Sequence, residues 1–393
     1  MVNVIWMIGA LLVPLVWLVP HVAMGMHPDP AITATLTGVT IVSAAFLLSW
    51  ATELAENYVP ASFALIILAL ISVLPEYAVD ITLAWKAGQD PAYRELAVAN
   101  MTGANRILIG IGWSMLVFVQ VFQGKGKVLE VHPSQRLELG FLLIATIYAI
   151  ILPLKQSIGL IDSAVFFLIF AAYVWRSLKT EGEEHPLVGP SLWINDRTKD
   201  PSRIAVIAFF LVYACAAIWF SAEPFAEGLV QVGEEFDIDK FVLIQVVAPL
   251  ASESPEFIVA ILFVLRNRAS TALGALVSSK VNQWTLLVGA IPIAYSLSKG
   301  SMEPMLLEPR PNEELLLTAA QSLFAVALLS DLRFTLKEAI ALFVLFLLPW
   351  APGLNAPGMH YVFSGLYFVL VLVVGFGNDS ARRNLARLFK LRG

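Results

Sequence analysis

Two segments, Ile71-Ser-Val-Leu-Pro-Glu76 and Ala251-Ser-Glu-Ser-Pro-Glu256, place the same Pro-Glu pair inside long apolar runs. Proline has no N–H and displaces the carbonyl four residues earlier, which here belongs to Ile71 or Ala251. Each run is therefore predicted to form a helix that is broken at the proline. A carboxylate beside a freed carbonyl and a Ser hydroxyl offers the oxygen ligands that a hard cation prefers.

The whole chain has the composition of a polytopic membrane protein. Of its 393 residues, 58% are hydrophobic and 14% are charged, whereas about 25% are charged in a typical soluble protein. The mean hydropathy is +0.77. Lys and Arg number 25 against 30 Asp and Glu, and no basic block or Walker-type loop is present. Neither nucleic acid nor ATP is therefore expected as a partner.

Residues that could hold a resident cofactor are scarce. Cys215 is the single cysteine, so it cannot form an intrachain disulfide or a thiolate zinc site. The five histidines never fall at i, i+4 spacing, which disfavours a histidine metal centre. No cofactor is expected, and the predicted partners are small inorganic cations and the lipid bilayer.

Proline, glycine and charged residues divide the chain into about twelve apolar segments that are candidates to span a bilayer. They lie near 2–24, 31–51, 61–86, 95–122, 136–153, 158–175, 204–228, 241–265, 270–298, 314–332, 337–351 and 359–377. Most Lys and Arg residues between them fall on the side that holds both termini. Positive-inside bias then predicts an integral protein of the plasma membrane with both termini in the cytoplasm.

The Pro-Glu segments belong to a longer internal repeat. After the first comes Asn100-Met-Thr-Gly-Ala-Asn-Arg106, and after the second comes Ser278-Ser-Lys-Val-Asn-Gln283. An odd number of predicted spans separates each element from its counterpart, so the two copies cross the membrane in opposite directions. Such inverted repeats are typical of secondary transporters.

The repeat suggests five parts in the chain. An extra N-terminal helix (1–30) precedes a first repeat, and a second repeat precedes an extra helix with a basic cytoplasmic tail. A polar connector with too few apolar residues to fold alone separates the repeats. The predicted bounds of the four later parts are 31–177, 178–202, 203–355 and 356–393.

Carboxylates inside a membrane are costly, and they usually bind ions or carry protons. Glu76 with Ser72, and Glu256 with Ser252, are therefore the predicted ion and metal ligands. Asp80 lies one turn beyond Glu76 on nearly the same helix face. Further candidates are the polar residues of the following helices, which could instead be interhelical hydrogen-bond formers: Asn105, Asn282, Thr102 and Ser279.

These residues resemble the alpha repeats of the cation/calcium antiporter superfamily, the sodium/calcium exchanger group. Its pattern is roughly G-T-S-x-P-E on one helix and G-N-x-x-G-S-N on the next, and the match covers about 31–120 and 203–298. The resemblance implies an all-α membrane protein with two inverted five-helix repeats. It also implies that both Pro-Glu glutamates form the ion site with residues of the following helix, among them Asn100.

This chain departs from the pattern at charged positions. Glu253, which is a further predicted ion ligand, replaces a Ser before the second Pro-Glu pair, Lys280 takes a Gly position, and Arg106 follows Asn105. Arg106 and Lys280 near the glutamates would offset much of the negative charge that a calcium site uses. The departures therefore favour sodium or proton coupling over calcium selectivity.

The sequence predicts a secondary active cation antiporter with a midplane site that is exposed to each side in turn. It would exchange Na⁺ and/or H⁺ against a cation, and Ca²⁺ stays open as that cation. One alternative is a scaffold without transport, in which Lys280 and Arg106 fill the ion site. An intramembrane enzyme would need a nucleophile and a base, which the sequence supports poorly.

Overall fold

The structure is a computed structural model, and it describes residues 2–26, 28–55, 58, 74–179, 187–351, 354, 356–377 and 379–388. The chain divides into two compact units. The first comprises Met1–Leu83 and Glu183–Leu262, and the second comprises Ala84–Gly182 and Phe263–Gly393. Ser72, a predicted ligand, lies outside the described residues.

Helices dominate both units. In chain order they are α1 Val2–Leu18, α2 Pro30–Ala55, α3 Leu74–Gln89, α4 Tyr93–Ile107, α5 Ser114–Phe122, α6 Arg136–Ala149, α7 Ile151–Lys155, α8 Leu160–Ser177, α9 Pro190–Arg197, α10 Asp200–Glu235, α11 Lys240–Leu265, α12 Ala269–Asn282, α13 Val288–Lys299, α14 Pro309–Leu329, α15 Leu336–Leu347, α16 Met359–Phe376 and α17 Asp379–Leu388. Segments of π-helix are Val19–Ala23, Leu108–Trp113 and Gln283–Leu287, and 3₁₀ turns are Pro133–Gln135 and Leu348–Trp350. The strands are β1 Val128–Glu130, β2 Ser157–Ile158, β3 Met305–Leu306 and β4 Arg333–Thr335.

In the first unit, α2 packs closely against α10. A Cβ added to Gly38 would meet the ring of Phe225 at 2.9 Å, and one added to Gly228 would meet the backbone of Ala34 at 3.0 Å. Small residues thus allow the two backbones to approach each other, as they do at helix interfaces in membranes. Trp50 belongs to the apolar core beside this contact.

In the second unit, two short antiparallel ribbons join the links between helices. The link before α6 pairs with the link before α15 (β1 with β4), and the link before α8 pairs with the link before α14 (β2 with β3). In the ribbon of β1 and β4, the link after the third helix of the first repeat pairs with the link after the fourth helix of the second repeat. In the ribbon of β2 and β3, the link after the fourth helix of the first repeat pairs with the link after the third helix of the second repeat. Interchanging the two repeats therefore converts one ribbon into the other, which agrees with the predicted topology of inverted repeats.

Most of the described helices lie within the predicted spans, whereas α9 lies in the predicted connector and α17 in the predicted tail. Residues 61–73 of the third predicted span lie outside the described residues. Within the described part of the chain, seven helical stretches are long and apolar enough to cross a membrane by length and composition, namely Asn3–Val22, Pro30–Ala55, Tyr93–Phe122, Pro133–Lys155, Leu160–Ser177, Asp200–Glu235 and Lys240–Leu265. Apolar side chains lie exposed on several of these helices, including Trp219, Val212 and Leu168, as expected where a helix faces lipid. The number of crossings stays a prediction.

The expected break at Pro255 does not occur. A single helix, α11, runs from Lys240 to Leu265 through Pro249 and Pro255. Helices in membranes tolerate proline because side chains and local adjustments satisfy the freed backbone groups. Next to Pro255, the hydroxyls of Ser252 and Ser254 donate to carbonyls of the preceding turn, namely those of Ala248, Pro249 and Leu250.

Candidate ion-binding site

Helix α3 carries two buried carboxylates. Glu76 lies in its first turn and Asp80 one turn later, and their exposed fractions are 3% and 1%. Residues four apart lie on the same helix face, so the structure gives Asp80 the position beside Glu76 that the sequence suggests. That these carboxylates bind an ion stays a prediction.

Helix α11 carries the second pair of carboxylates. Glu253 is fully buried, whereas Glu256 is partly buried. The Ser252 hydroxyl donates to the carbonyl oxygens of Ala248 and Pro249, both at 3.3 Å. Glu253 and Glu256 are three residues apart and share a helix face. This places a carboxylate pair on the second repeat as well as on the first.

In the second unit, Asn105 and Lys280 join the third helices of the two repeats. The Lys280 ammonium donates to the main-chain oxygen of Asn105 at 2.6 Å and to its side-chain oxygen at 2.5 Å. The Asn105 amide donates in turn to the Met101 carbonyl at 2.8 Å. Both side chains are fully buried. A tethered ammonium therefore occupies oxygens that would otherwise suit a free cation.

Both of these helices change from α to π register within three residues of a predicted ligand. Helix α4 passes into the π segment Leu108–Trp113 soon after Asn105, and α12 passes into Gln283–Leu287 directly after Asn282. A π segment shifts the hydrogen-bond partners by one residue, and such bulges are frequent at functional sites. Sequence reasoning missed this feature, because no residue pattern in the two segments distinguishes π from α register.

Arg106 is bound by groups that sequence reasoning did not identify. Its Nη1 donates to Glu314 Oε2 at 2.5 Å, and its main-chain oxygen accepts from Gln321 Nε2 at 3.3 Å. His360 Nδ1 lies 3.2 Å from the other oxygen of Glu314. Glu314 thus gives the guanidinium a counter-charge within the second unit. That Arg106 offsets the charge of Glu76 and Glu256 stays a prediction.

A sequence signal for this cluster does exist. Glu313 and Glu314 interrupt the apolar helix α14, and a carboxylate within a membrane helix is a functional candidate with a partner to be found. The sequence could not supply that partner, because Arg106 and Glu314 lie 208 residues apart.

The secondary candidates fall into two groups. Thr102 donates to the carbonyls of its own helix, at 2.8 Å to Val98 and 3.2 Å to Ala99. In contrast, within the described residues the side-chain oxygens of Asn282 and Ser279 are buried and have no hydrogen-bond partner. These two oxygens are the better ligand candidates. Asn100 is buried on α4, and its role stays a prediction.

Among the residues that the structure describes, no group of three or more His, Cys, Asp or Glu side chains is arranged as a metal site. The candidate carboxylates Glu76, Asp80, Glu253 and Glu256 belong to the first unit, and the amides of Asn105 and Asn282 belong to the second. That the two sets bind one ion stays a prediction.

The inverted repeats and buried carboxylates define a membrane transporter for cations. The family model for the sodium/calcium exchanger protein matches residues 30–179 and 206–349. The chain therefore belongs to the sodium/calcium exchanger family, and it is a transporter of inorganic cations in a lipid bilayer rather than an enzyme. This confirms the resemblance that the two Pro-Glu segments indicate.

Solved structures have the same fold. The crystal structure of the H⁺/Ca²⁺ exchanger CAX is 44% identical and superposes with a TM-score of 0.91, with 100% of both chains covered. Native YfkE is 15% identical with a TM-score of 0.64, over 94% of this chain and 100% of YfkE. The sodium-calcium exchanger NCX_Mj is 15% identical with a TM-score of 0.54, over 82% of this chain and 98% of NCX_Mj. No curated protein sequence matches the chain.

Proposed function

We propose that this protein is a secondary active antiporter that exchanges Ca²⁺ for H⁺ across a membrane. The observation that carries the proposal is the 44% identity to the H⁺/Ca²⁺ exchanger CAX over the full length of both chains. The departures at Arg106 and Lys280 favour sodium or proton over calcium on sequence grounds. The part of this argument that concerns Arg106 is weakened, because Glu314 balances the charge of Arg106.

The proposed chemistry rests on Glu76 and Glu256, one from each repeat. A carboxylate can hold a proton or take part in binding Ca²⁺, but the same oxygens cannot do both at once. Two carboxylates can therefore hold one Ca²⁺ or two protons with the same total charge. This competition on shared oxygens couples the movement of calcium in one direction to the movement of protons in the other.

The contacts of Lys280 separate the neighbouring oxygens into those that bind its ammonium and those that are candidate ligands for an ion. Its ammonium holds both oxygens of Asn105, whereas the buried oxygens of Asn282 and Ser279 have no hydrogen-bond partner within the described residues. We therefore assign neutral ligands for Ca²⁺ to Asn282 and Ser279, and a positioning role to Asn105.

Flux in proteoliposomes tests the proposal. An imposed pH gradient should drive uptake of ⁴⁵Ca²⁺, and Glu76→Gln and Glu256→Gln should each abolish it, because an amide cannot exchange a proton for calcium. Glu235→Gln is the matched control, since this exposed residue lies at the end of α10, and it should transport like the wild type. Calcium uptake driven by a sodium gradient but not by a pH gradient would contradict the proposal.

A further inference from the structure

A buried charged cluster lies in the second unit beside the residues proposed to position the ion site. Arg106 of α4, Glu314 of α14 and His360 of α16 have exposed fractions of only 2%, 2% and 6%. Arg106 bonds one carboxylate oxygen of Glu314 at 2.5 Å, and the His360 ring nitrogen lies 3.2 Å from the other. Glu314 thus links an arginine and a histidine that come from different helices.

Aromatic rings enclose the arginine. The guanidinium carbon lies 5.6 Å from the ring centre of Trp350 and 5.8 Å from that of Phe346. Cation–π contact adds to the ion pair when the cation is desolvated. The guanidinium is therefore fixed on several sides, and its position depends on the carboxylate that it bonds.

Four charged groups face His360. Glu313 and Glu314 of α14 carry two negative charges, and Arg106 of α4 and Arg310 at the start of α14 carry two positive charges. Both carboxylate oxygens of Glu313 accept from the Gly358 N–H, at 3.1 and 3.0 Å. These charges balance while the His360 ring is neutral. A proton on the ring therefore adds one positive charge to a buried cluster, where the low dielectric strengthens its interactions with Glu314 and Arg106.

The cluster is connected to the candidate ion site through the backbone. Arg106 follows Asn105, whose two oxygens hold the Lys280 ammonium. The Arg106 carbonyl accepts from Gln321 of α14, just before the helix changes into π register. A shift of Glu314 or Arg106 would therefore move the carbonyl and side chain of Asn105, and with them Lys280.

We propose that Arg106, Glu314 and His360 form a second, proton-responsive site that positions Asn105 and Lys280 for ion exchange. This inference rests on the proposed calcium and proton exchange, because it assigns a proton to a group outside the exchanging carboxylates. His360 is the group that gains or loses the proton, since an ordinary imidazole titrates near neutral pH. Glu314 and Arg106 transmit the change to the end of α4.

The test uses exchange of ⁴⁵Ca²⁺ for unlabelled Ca²⁺ in proteoliposomes, at saturating calcium and with the same pH on both sides. Under these conditions protons are not the coupling ion and compete little with calcium. His360→Gln keeps a polar side chain beside Glu314 but cannot gain a proton. His21→Gln is the control, since it removes a histidine of the first unit from outside the cluster.

We expect wild type and His360→Gln to exchange calcium at the same rate at about pH 8. At about pH 5.5 the two rates should differ by about fivefold or more, since fivefold is the lower end of the range typical of coupling between distinct sites. His21→Gln should follow the wild type throughout. His360→Lys carries a positive charge at both pH values. It should therefore exchange calcium at both pH values at the rate that the wild type shows at about pH 5.5. A ratio of wild type to His360→Gln that stays constant with pH would overturn the inference.

A second measurement covers the cases in which exchange is absent. No exchange by the wild type would contradict the proposed function, and the cluster is then tested by the melting temperature of the purified protein. Wild type and His360→Gln should differ in melting temperature by an amount that changes across the same pH range. An identical pH dependence in both proteins would overturn the inference independently of transport.

Discussion

Arg106 and Lys280 are two buried cations on corresponding helices of the two repeats, yet the protein satisfies them in different ways. Arg106 faces a full negative charge on Glu314. Lys280 donates to two oxygens of an uncharged residue, Asn105. The contacts of Arg106 thus include a charge pair, and those of Lys280 include two oxygens of one amide residue. Charge counting along the sequence gives neither set of contacts.

The largest expected effect comes from removing the carboxylate partner of Arg106. Glu314→Gln should destabilise the protein by about 3–5 kcal/mol, because it leaves a buried guanidinium without a counter-charge. The melting temperature in detergent measures this loss. Glu308→Gln is the control, since Glu308 is exposed at the start of the same helix, and it should leave the melting temperature unchanged.

A second variant separates charge from packing at this site. Adding Arg106→Met to Glu314→Gln removes the uncompensated charge and should restore at least half of the lost stability. A double variant that is no more stable than Glu314→Gln alone would contradict the assignment of Arg106 to Glu314.

A smaller effect is expected at the contact between Lys280 and Asn105. Asn105→Ala removes the side-chain oxygen of Asn105 that binds Lys280 and leaves the main-chain oxygen in place, which should cost about 1.5–3 kcal/mol. A double-mutant cycle with Lys280→Met isolates the contact between the two side chains. A coupling free energy below about 0.5 kcal/mol, within the usual error of additivity, would show that Lys280 does not depend on this amide.

The smallest effect is expected at a solvated ion pair outside the spans. Lys299 bonds Glu303 at 2.6 Å, and this hydrogen bond lowers the pKa of the Glu303 carboxyl. Any stability from the pair is present above the ordinary pKa of Glu and is lost as the pH falls through the lowered pKa. Because the pair is exposed, solvent screens it. Glu303→Gln should leave the melting temperature unchanged at neutral and acidic pH, and a clear loss at neutral pH alone would contradict this.

The sequence predicts the fold to a large extent because its strongest signals are local or repeated. Apolar length predicts the spanning helices, and the two Pro-Glu segments predict the inverted repeat, which the exchanger family match and the paired ribbons confirm. The proline signal is less specific, since Pro255 removes a backbone hydrogen bond without ending α11.

The candidate site is predictable only in part. The residue types of Glu76, Glu256 and Asn282 follow from what a cation needs, and their burial or partial burial agrees with that use. The partners of Arg106 and Lys280 depend on contacts between distant parts of the chain, which no local pattern encodes. The register change after Asn105 and Asn282 depends on packing for the same reason.

The most direct test of the central claim is to record calcium and proton fluxes together in proteoliposomes that contain the wild type. If Glu76 and Glu256 hold either one Ca²⁺ or two protons, about two protons should move for each Ca²⁺ in the opposite direction, and an imposed membrane potential should leave the rate unchanged. Calcium movement without counter-movement of protons, or a rate that depends on the potential, would contradict the account.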